Sequence, residues 1–499
     1  MIEKTSYIGT LLKSFQLGEV AMAKLLDLVL GKKRIERVTE RIGAERVDIA
    51  QTEVDVFAAL TLMEKIAGPK GVKSPDAGVV MSDGGTHQRV EANPNARLNE
   101  QDAVAADDPT HNEDAVGDED DSLDAAEAEV AEAAAEAEAE AVSPGGKKKK
   151  RKKKSHWYEY KAGLCAALGP RTDGVAPGED SPDPCPDVVE FLLNLEQMET
   201  LSGEFTRKAA KVAEPENDID LILETEADLE TILAAARLPL DESAAAAATK
   251  STSGSQQRES SDGLPLSPKL TSRDVVATLE DRCHFGLKLA ARAWHLGLFG
   301  AKFKAFVGDG SAWIWKVFDL HFKPFGFVPI NDLLHAVSYL YSSAMAGRAV
   351  SEGGPVYQQW VRWLWSGEVG KVISELAVRQ SELGLPEDDD GRTHPRRLVS
   401  DALTYLQNQK SRMNYPRYRK LGLPITSSHM ESTVKELNYR LKGTEKFWSK
   451  SGGESVLQLK SDTISSSDPL SDYFATRAET RTGLRRSVGR HIRAGSPSA

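Results

Sequence analysis

A chain of 499 residues with a formal net charge of −12 has room for two or three domains and a sizeable core. Spread evenly, that charge would argue against a nucleic-acid partner. It is not even: an acidic insert between about residues 100 and 141 holds much of the negative charge, and the C-terminal third is rich in Lys and Arg. The three cysteines, Cys165, Cys185 and Cys283, have no CxxC spacing. They argue against a zinc ribbon or a disulfide framework and fit a reducing cytosol. No apolar run reaches the roughly 20 residues that span a bilayer. The opening MIEKTSYIGTLLKSF lacks the basic and apolar regions of a secretory signal.

Residues 1–76 predict helices. Val20, Ala23, Leu26, Leu28 and Leu30 make an apolar segment, Gly31 interrupts it, and KKRIERVTERIGAER follows with Ile35, Val38 and Ile42 on one face. Helix, glycine turn and basic helix outline a helix-turn-helix, and a plain helical hairpin has the same pattern. Residues 77–92, AGVVMSDGGTHQRVEA, predict a strand, a Gly-Gly break and a second strand. Asp83 falls where the apolar run ends, and Asp83-Gly84-Gly85 is also good hairpin-turn chemistry. Residues 93–155 are low complexity: an Ala/Glu tract with no apolar stripe to bury, then the basic run Lys147–Lys154. That run can grip phosphates or serve as a solvated partner to the acidic tract.

Residues 156–168, HWYEYKAGLCAAL, alternate as a strand, with Trp157, Glu159 and Lys161 opposite Tyr158 and Tyr160. Residues 169–273 form a variable insertion, with weak helices near 187–210 and 218–237 and a Ser/Gln/Gly linker at 250–264. Residues 274–335 predict a helix through Val276, Leu279, Cys283, Leu287, Ala290 and Trp294. A buried strand Ala305–Val307 follows, ending at Gly308-Asp309-Gly310. The next strand, Phe327–Ile330, leads to Asp332, with His335 three residues on. A helix between two strands signals the edge of a parallel sheet. Asp332 also suits the cap of a helix starting at Leu333. Residues 336–412 predict helices whose Trp360, Trp363 and Trp365 are core, with a loop at 385–397.

Residues 413–475 contain NYPRYRKLGLPITSSHMESTVKELNYRLKGTEKFW. Met430, Val434, Leu437 and Leu441 recur at helical spacing as an apolar face. Glu431, Lys435, Asn438 and Lys442 follow one residue later as a polar stripe about 100° round the helix. Ser428 to Glu431 also spells a capping box, S-x-x-E, with Ser428 as cap. Residues 476–499 are a basic tail, expected to be disordered.

YPRYRKLGLPITSSHMES followed by RLKGTEKFW resembles the C-terminal block of bacterial insertion-sequence transposases of the ISKra type. The resemblance extends over 77–92, 156–168 and 274–475, through DGG with Gln88 and Arg89, W-x-E-x-K, GDG and D-x-x-H. It implies an α/β fold: an RNase H-like mixed sheet flanked by helices, with an N-terminal helical region, a helical insertion and long disordered insertions. It further implies a DDE triad of Asp83, Asp309 and Glu431, with Asp332 and His335 in support. Carboxylates suit two Mg²⁺ (or Mn²⁺) ions, hard cations that take oxygen ligands and assist in-line displacement at phosphorus. The expected partner is double-stranded DNA in the bacterial cytoplasm at the nucleoid, bound by a homo-oligomer. Arg417, Arg419, Lys420, Lys435 and Lys442 cluster around the Glu431 helix as candidate phosphate contacts. The chain departs from the family in its long insert between Asp83 and Asp309, in a short N-terminal portion, and in TSSHMES, where many relatives carry GSG-x-x-E. A DNA-binding protein without catalysis, a non-mobile nuclease on the same fold, and a scaffold built on the acidic insert are the alternatives.

Overall fold

A computed structural model describes residues 1–90, 155–171, 173–211, 268–443 and 446–477. The expectations for the low-complexity insert, the helix at 218–237, the linker at 250–264 and the basic tail fall outside these residues. The chain divides into Met1–Arg89 with Trp157–Ala499, and Val90–His156. All that follows concerns the first unit, together with the ends of the strands that reach into the second.

Four helices open the chain: α1 (Ile2–Leu11), α2 (Phe15–Leu26), α3 (Lys32–Ala59) and α4 (Leu62–Ala67). A six-stranded sheet follows: β1 (Ala77–Val90), β2 (Ser155–Leu168), β3 (Leu270–Thr278), β4 (Phe303–Gly308), β5 (Val328–Asn331) and β6 (Phe447–Trp448). The strand order is β3-β2-β1-β4-β5, and β6 pairs with the far end of β1. β1 runs parallel to β4, and β4 parallel to β5, while β2 and β3 are antiparallel. Gly78 lies by Ala166, Ser82 by Ala162 and Gly85 by Tyr160, so β1 and β2 also run antiparallel. The result is a mixed open sheet with helices on both faces.

The remaining helices are α5 (Leu195–Lys211), α6 (Arg282–His295), α7 (Ala312–His321), α8 (Leu333–Met345), α9 (Val350–Trp365), α10 (Val369–Leu383), α11 (Pro395–Gln409), α12 (Tyr415–Lys420), α13 (Ser428–Leu441), α14 (Lys450–Ile464) and α15 (Pro469–Thr476). Alternation along β1 feeds two cores. Val79 and Met81 pack with α8, α9, α11 and α13, and Val80 packs with α6 and α7. Both faces of β1 are therefore covered, and its sequence is correspondingly apolar throughout. Trp360 and Trp365 are fully buried in the first core, as expected for the helical region.

Three local expectations need correction. DVVAT does not begin a helix: the β-branched Val275, Val276 and Thr278 extend as β3 against β2. Helix α6 starts only after Asp281, whose carboxylate accepts from the backbone of Cys283 and His284 at 2.8 and 2.9 Å. The loop predicted at 385–397 ends earlier, because Pro395 opens α11.

The third correction concerns Gly84-Gly85, which does not break the strand; β1 runs on to Val90. Neither glycine has positive φ. They serve close approach instead: a Cβ on Gly84 would lie 2.4 Å from Glu159 Oε1, and one on Gly85 2.2 Å from the Tyr160 ring.

The N-terminal helices do not stand apart as a helix-turn-helix module. α3 is 28 residues long, and its Ile35, Ile42 and Arg46 side is buried. Ile42 packs against Leu459, Leu470 and Tyr473, and Arg46 pairs with Asp462 at 2.8 Å. A Cβ on Gly43 would meet the Ser455 carbonyl oxygen at 2.4 Å, so α3 and α14 touch backbone to backbone.

Candidate active site

The parallel pairing of β1 with β4 sets Met81 beside Val307. Two residues further on, Asp83 and Asp309 follow the carboxyl ends of the same pair of strands. Both keep the parity of Val79, Met81, Ala305 and Val307, the side facing α8 and α13. This is the place where open parallel sheets gather functional groups.

Asp309 begins a tight turn in which its Oδ1 accepts from Ser311 N at 2.8 Å. The turn is held from the helical region. Tyr405 Oη donates to the Asp309 carbonyl at 2.8 Å, and Gln409 Nε2 donates to the Gly310 carbonyl at 3.0 Å. Asn331 Nδ2 donates to Tyr405 Oη at 2.8 Å, and Tyr415 Oη donates to the Asn331 carbonyl at 3.0 Å. Gly310, at φ 113, admits the Tyr405 ring 2.5 Å from where a Cβ would stand.

Asp332 caps α8, its Oδ1 accepting from Leu334 N at 2.7 Å. Its Oδ2 accepts from Ser427 N at 3.0 Å and from the Ser427 hydroxyl. It therefore ties the start of α8 to the start of α13. His335 Nδ1 lies 3.6 Å from the same oxygen. Burial would push the Asp332 carboxyl up, but the hydrogen bond and charge of His335, with the Ser427 donors, outweigh it and hold it below its ordinary value. Burial would lower His335, yet the hydrogen bond and charge of Asp332, together with the charges of Asp309 and Asp83, raise it to about 9. The imidazole thus sits in the combined field of three aspartates.

Glu431 lies in the first turn of α13. The capping box does not form. The N-cap is Ser427, one residue earlier than the sequence suggests, and its hydroxyl is turned to Asp332 instead of capping. The apolar face of α13 is as expected: Met430, Leu437 and Leu441 are fully buried. The polar stripe looks towards β2. Asn438 Oδ1 accepts from Tyr160 Oη at 2.9 Å, and the Lys442 ammonium lies 5.3 Å from the Trp157 ring. Tyr160 in turn covers Gly85 and feels the Asp83 charge, so the α13 stripe and the end of β1 share one surface.

The candidate phosphate contacts divide. Lys435 is exposed, and Lys442 is half-buried over Trp157. Arg419 leaves the set. It is 4 % exposed, its guanidinium stacks on Trp365 at 4.1 Å, and its Nε donates to Asp183 at 2.8 Å. Arg417 is 43 % exposed but already holds Glu179 at 2.7 Å. Lys420 is half-buried, and its carbonyl accepts from Arg171 at 2.8 Å.

Sequence reasoning missed Ser427, Tyr405, Gln409 and Asn331. Only Ser427 leaves a trace, as the other serine of TSS. Asp83 and Asp309 offer carboxylate oxygens of the kind Mg²⁺ takes, and the raised His335 reports negative charge gathered beside them. Among the described residues no three His, Cys, Asp or Glu side chains form a ready-made cation cage. Among the same residues no helix is long and apolar enough to cross a membrane. No protein-family model, no curated protein and no solved structure matches this chain.

Proposed function

We propose that this chain is a DDE-type DNA transposase on an RNase H-like sheet, cutting and joining DNA strands with divalent metal. One observation carries the reading. The order β3-β2-β1-β4-β5 puts Asp83 and Asp309 after the carboxyl ends of adjacent parallel strands, on the side that α13 covers with Glu431 in its first turn. The resemblance of the Asn414–Trp448 block supports it.

Asp83, Asp309 and Glu431 would hold the ions. Bound there, Mg²⁺ supplies activation of an attacking oxygen and stabilisation of a leaving one at phosphorus. The chain's own residues prepare the place. Tyr405 and Gln409 hold the Asp309 turn by its carbonyls, and Asp332 locks Ser427 so that α13 starts in register with α8. Protonated His335 balances the carboxylates and keeps Asp332 ionised. Lys435 and Lys442 meet the phosphate backbone of double-stranded DNA. The protein works as an oligomer on DNA in the bacterial cytoplasm.

The test is cleavage of a duplex carrying the element's own end by purified full-length protein, with Mg²⁺ and with EDTA. Metal-dependent nicking followed by strand joining is expected. A second reading, a DNA-binding protein without catalysis, is favoured by the lack of a ready-made cage among the described residues. DNA binding with no cleavage under either Mg²⁺ or Mn²⁺ would establish it. Cleavage without joining would point to a non-mobile nuclease.

A further inference from the structure

The basic helix α12 is already occupied by the chain's own carboxylates. Residues 172–189 carry Asp173, Glu179, Asp180, Asp183 and Asp187 and no Lys or Arg. Pro177, Pro182, Pro184 and Pro186 stiffen the segment in an extended form. It is fastened along α12 and the end of α9. Arg171 Nη1 and Gly178 N both donate to the Lys420 carbonyl, at 2.8 and 3.3 Å, and Trp365 Nε1 donates to the Cys185 carbonyl at 3.0 Å.

Two arginines of the YPRYRK run then meet two acids of the strap, in different settings. Arg419–Asp183 is buried, with side chains 3 % and 14 % exposed, and belongs to the fold. Arg417–Glu179 is open to solvent, with side chains 43 % and 57 % exposed. Its geometry is bidentate: Arg417 Nε and Nη2 donate to Glu179 Oε1 at 2.9 and 2.7 Å. The same fork fits a phosphate equally well. Gly178, docked on Lys420, fixes the position of Glu179, so the carboxylate is held at Arg417 by the strap and not by chance.

We propose that Glu179 stands where a DNA phosphate would bind Arg417, which makes the strap a built-in competitor that a duplex displaces at this one exposed pair. The proposal rests on the DNA-binding reading above. Displacement leaves Arg419–Asp183 and the backbone anchors intact, so nothing must unfold. An exposed ion pair is weak enough to exchange, and a duplex offers phosphates in a dense row.

The test measures binding of the full-length protein to a random-sequence duplex across a salt series. Glu179→Gln is expected to raise affinity about two- to tenfold at low salt and to steepen the slope of log affinity against log salt by about 0.9, one added phosphate contact. Adding Arg417→Gln to that variant should return both to the parent values. Circular dichroism should be the same for all three, since neither side chain is buried. A Glu179→Gln protein with the parent's affinity and slope overturns the proposal. So does a gain that persists without Arg417, which would reflect only the lost negative charge. In both cases a parent that binds and cleaves DNA keeps the functional reading. A parent without salt-dependent DNA binding overturns both.

Discussion

At the scale of single residues, Asp332 and His335 connect the fold to the chemistry. Asp332 joins the start of α8 to the start of α13, and His335 lies under the charge of Asp332, Asp309 and Asp83. The signs of their shifts define a pH window. His335 is raised from its ordinary value to about 9, so its contribution to stability is complete below roughly 6.5 and is lost as pH rises through about 9. Asp332 is held low, so its contribution is present above about 3.9 and is lost as pH falls through its folded value. Asp332→Asn should cost about 1–3 kcal/mol near neutral pH through weakened hydrogen bonds to buried partners. It should also flatten the loss of stability that the parent shows between about pH 6.5 and 9. Urea unfolding at several pH values measures both. A variant that keeps the parent's alkaline slope would show that His335 takes its charge from elsewhere.

At the scale of elements, the two glycines after Asp83 bring β1 and β2 together. Gly85→Ala would place a Cβ about 2.2 Å from the Tyr160 ring. Overpacking of this kind costs about 1–3 kcal/mol, and Tyr160→Leu in the same chain should recover part of it. Chemical denaturation of the single and double variants reads the coupling; strictly additive losses would contradict the contact.

The strand itself was legible, because a run of apolar residues ending in Asp-Gly-Gly is local information. The glycines' role was not, because a close approach and a turn use the same residue. β3 was misread for a related reason. A short run such as DVVAT fits either periodicity, and its pairing with β2 decides. Asp332 could be read as a cap because its partners are two and three residues away. Tyr405 could not, since its hydroxyl serves a carbonyl 96 residues distant. Arg419 looked like a DNA contact for the same reason: its partner Asp183 lies 236 residues back.

At the scale of the whole molecule, the N-terminal helices, the sheet, the helical region and the C-terminal helices form one unit, while Val90–His156 separates as another. The chain of 93–153 is too polar and repetitive to bury a core, and lengthening a loop costs closure entropy only logarithmically. Deleting 96–153 should therefore keep cooperative unfolding and move the melting temperature by only a few degrees. Loss of cooperativity in calorimetry would make the insert part of the fold. The central claim is that Asp83, Asp309 and Glu431, brought to one side of the sheet from two strands and a helix, act together on DNA. The most direct measurement is single-turnover cleavage of a duplex carrying the element's end by Glu431→Gln, beside Asp83→Asn and Asp309→Asn. Because no capping box forms at Ser428, Glu431→Gln should leave stability and DNA binding near those of the parent. Cleavage should fall by several orders of magnitude in all three, since a neutral amide is a poor Mg²⁺ ligand. Parent-like cleavage by Glu431→Gln, with Asp309→Asn inactive, would contradict the account and place the third carboxylate elsewhere.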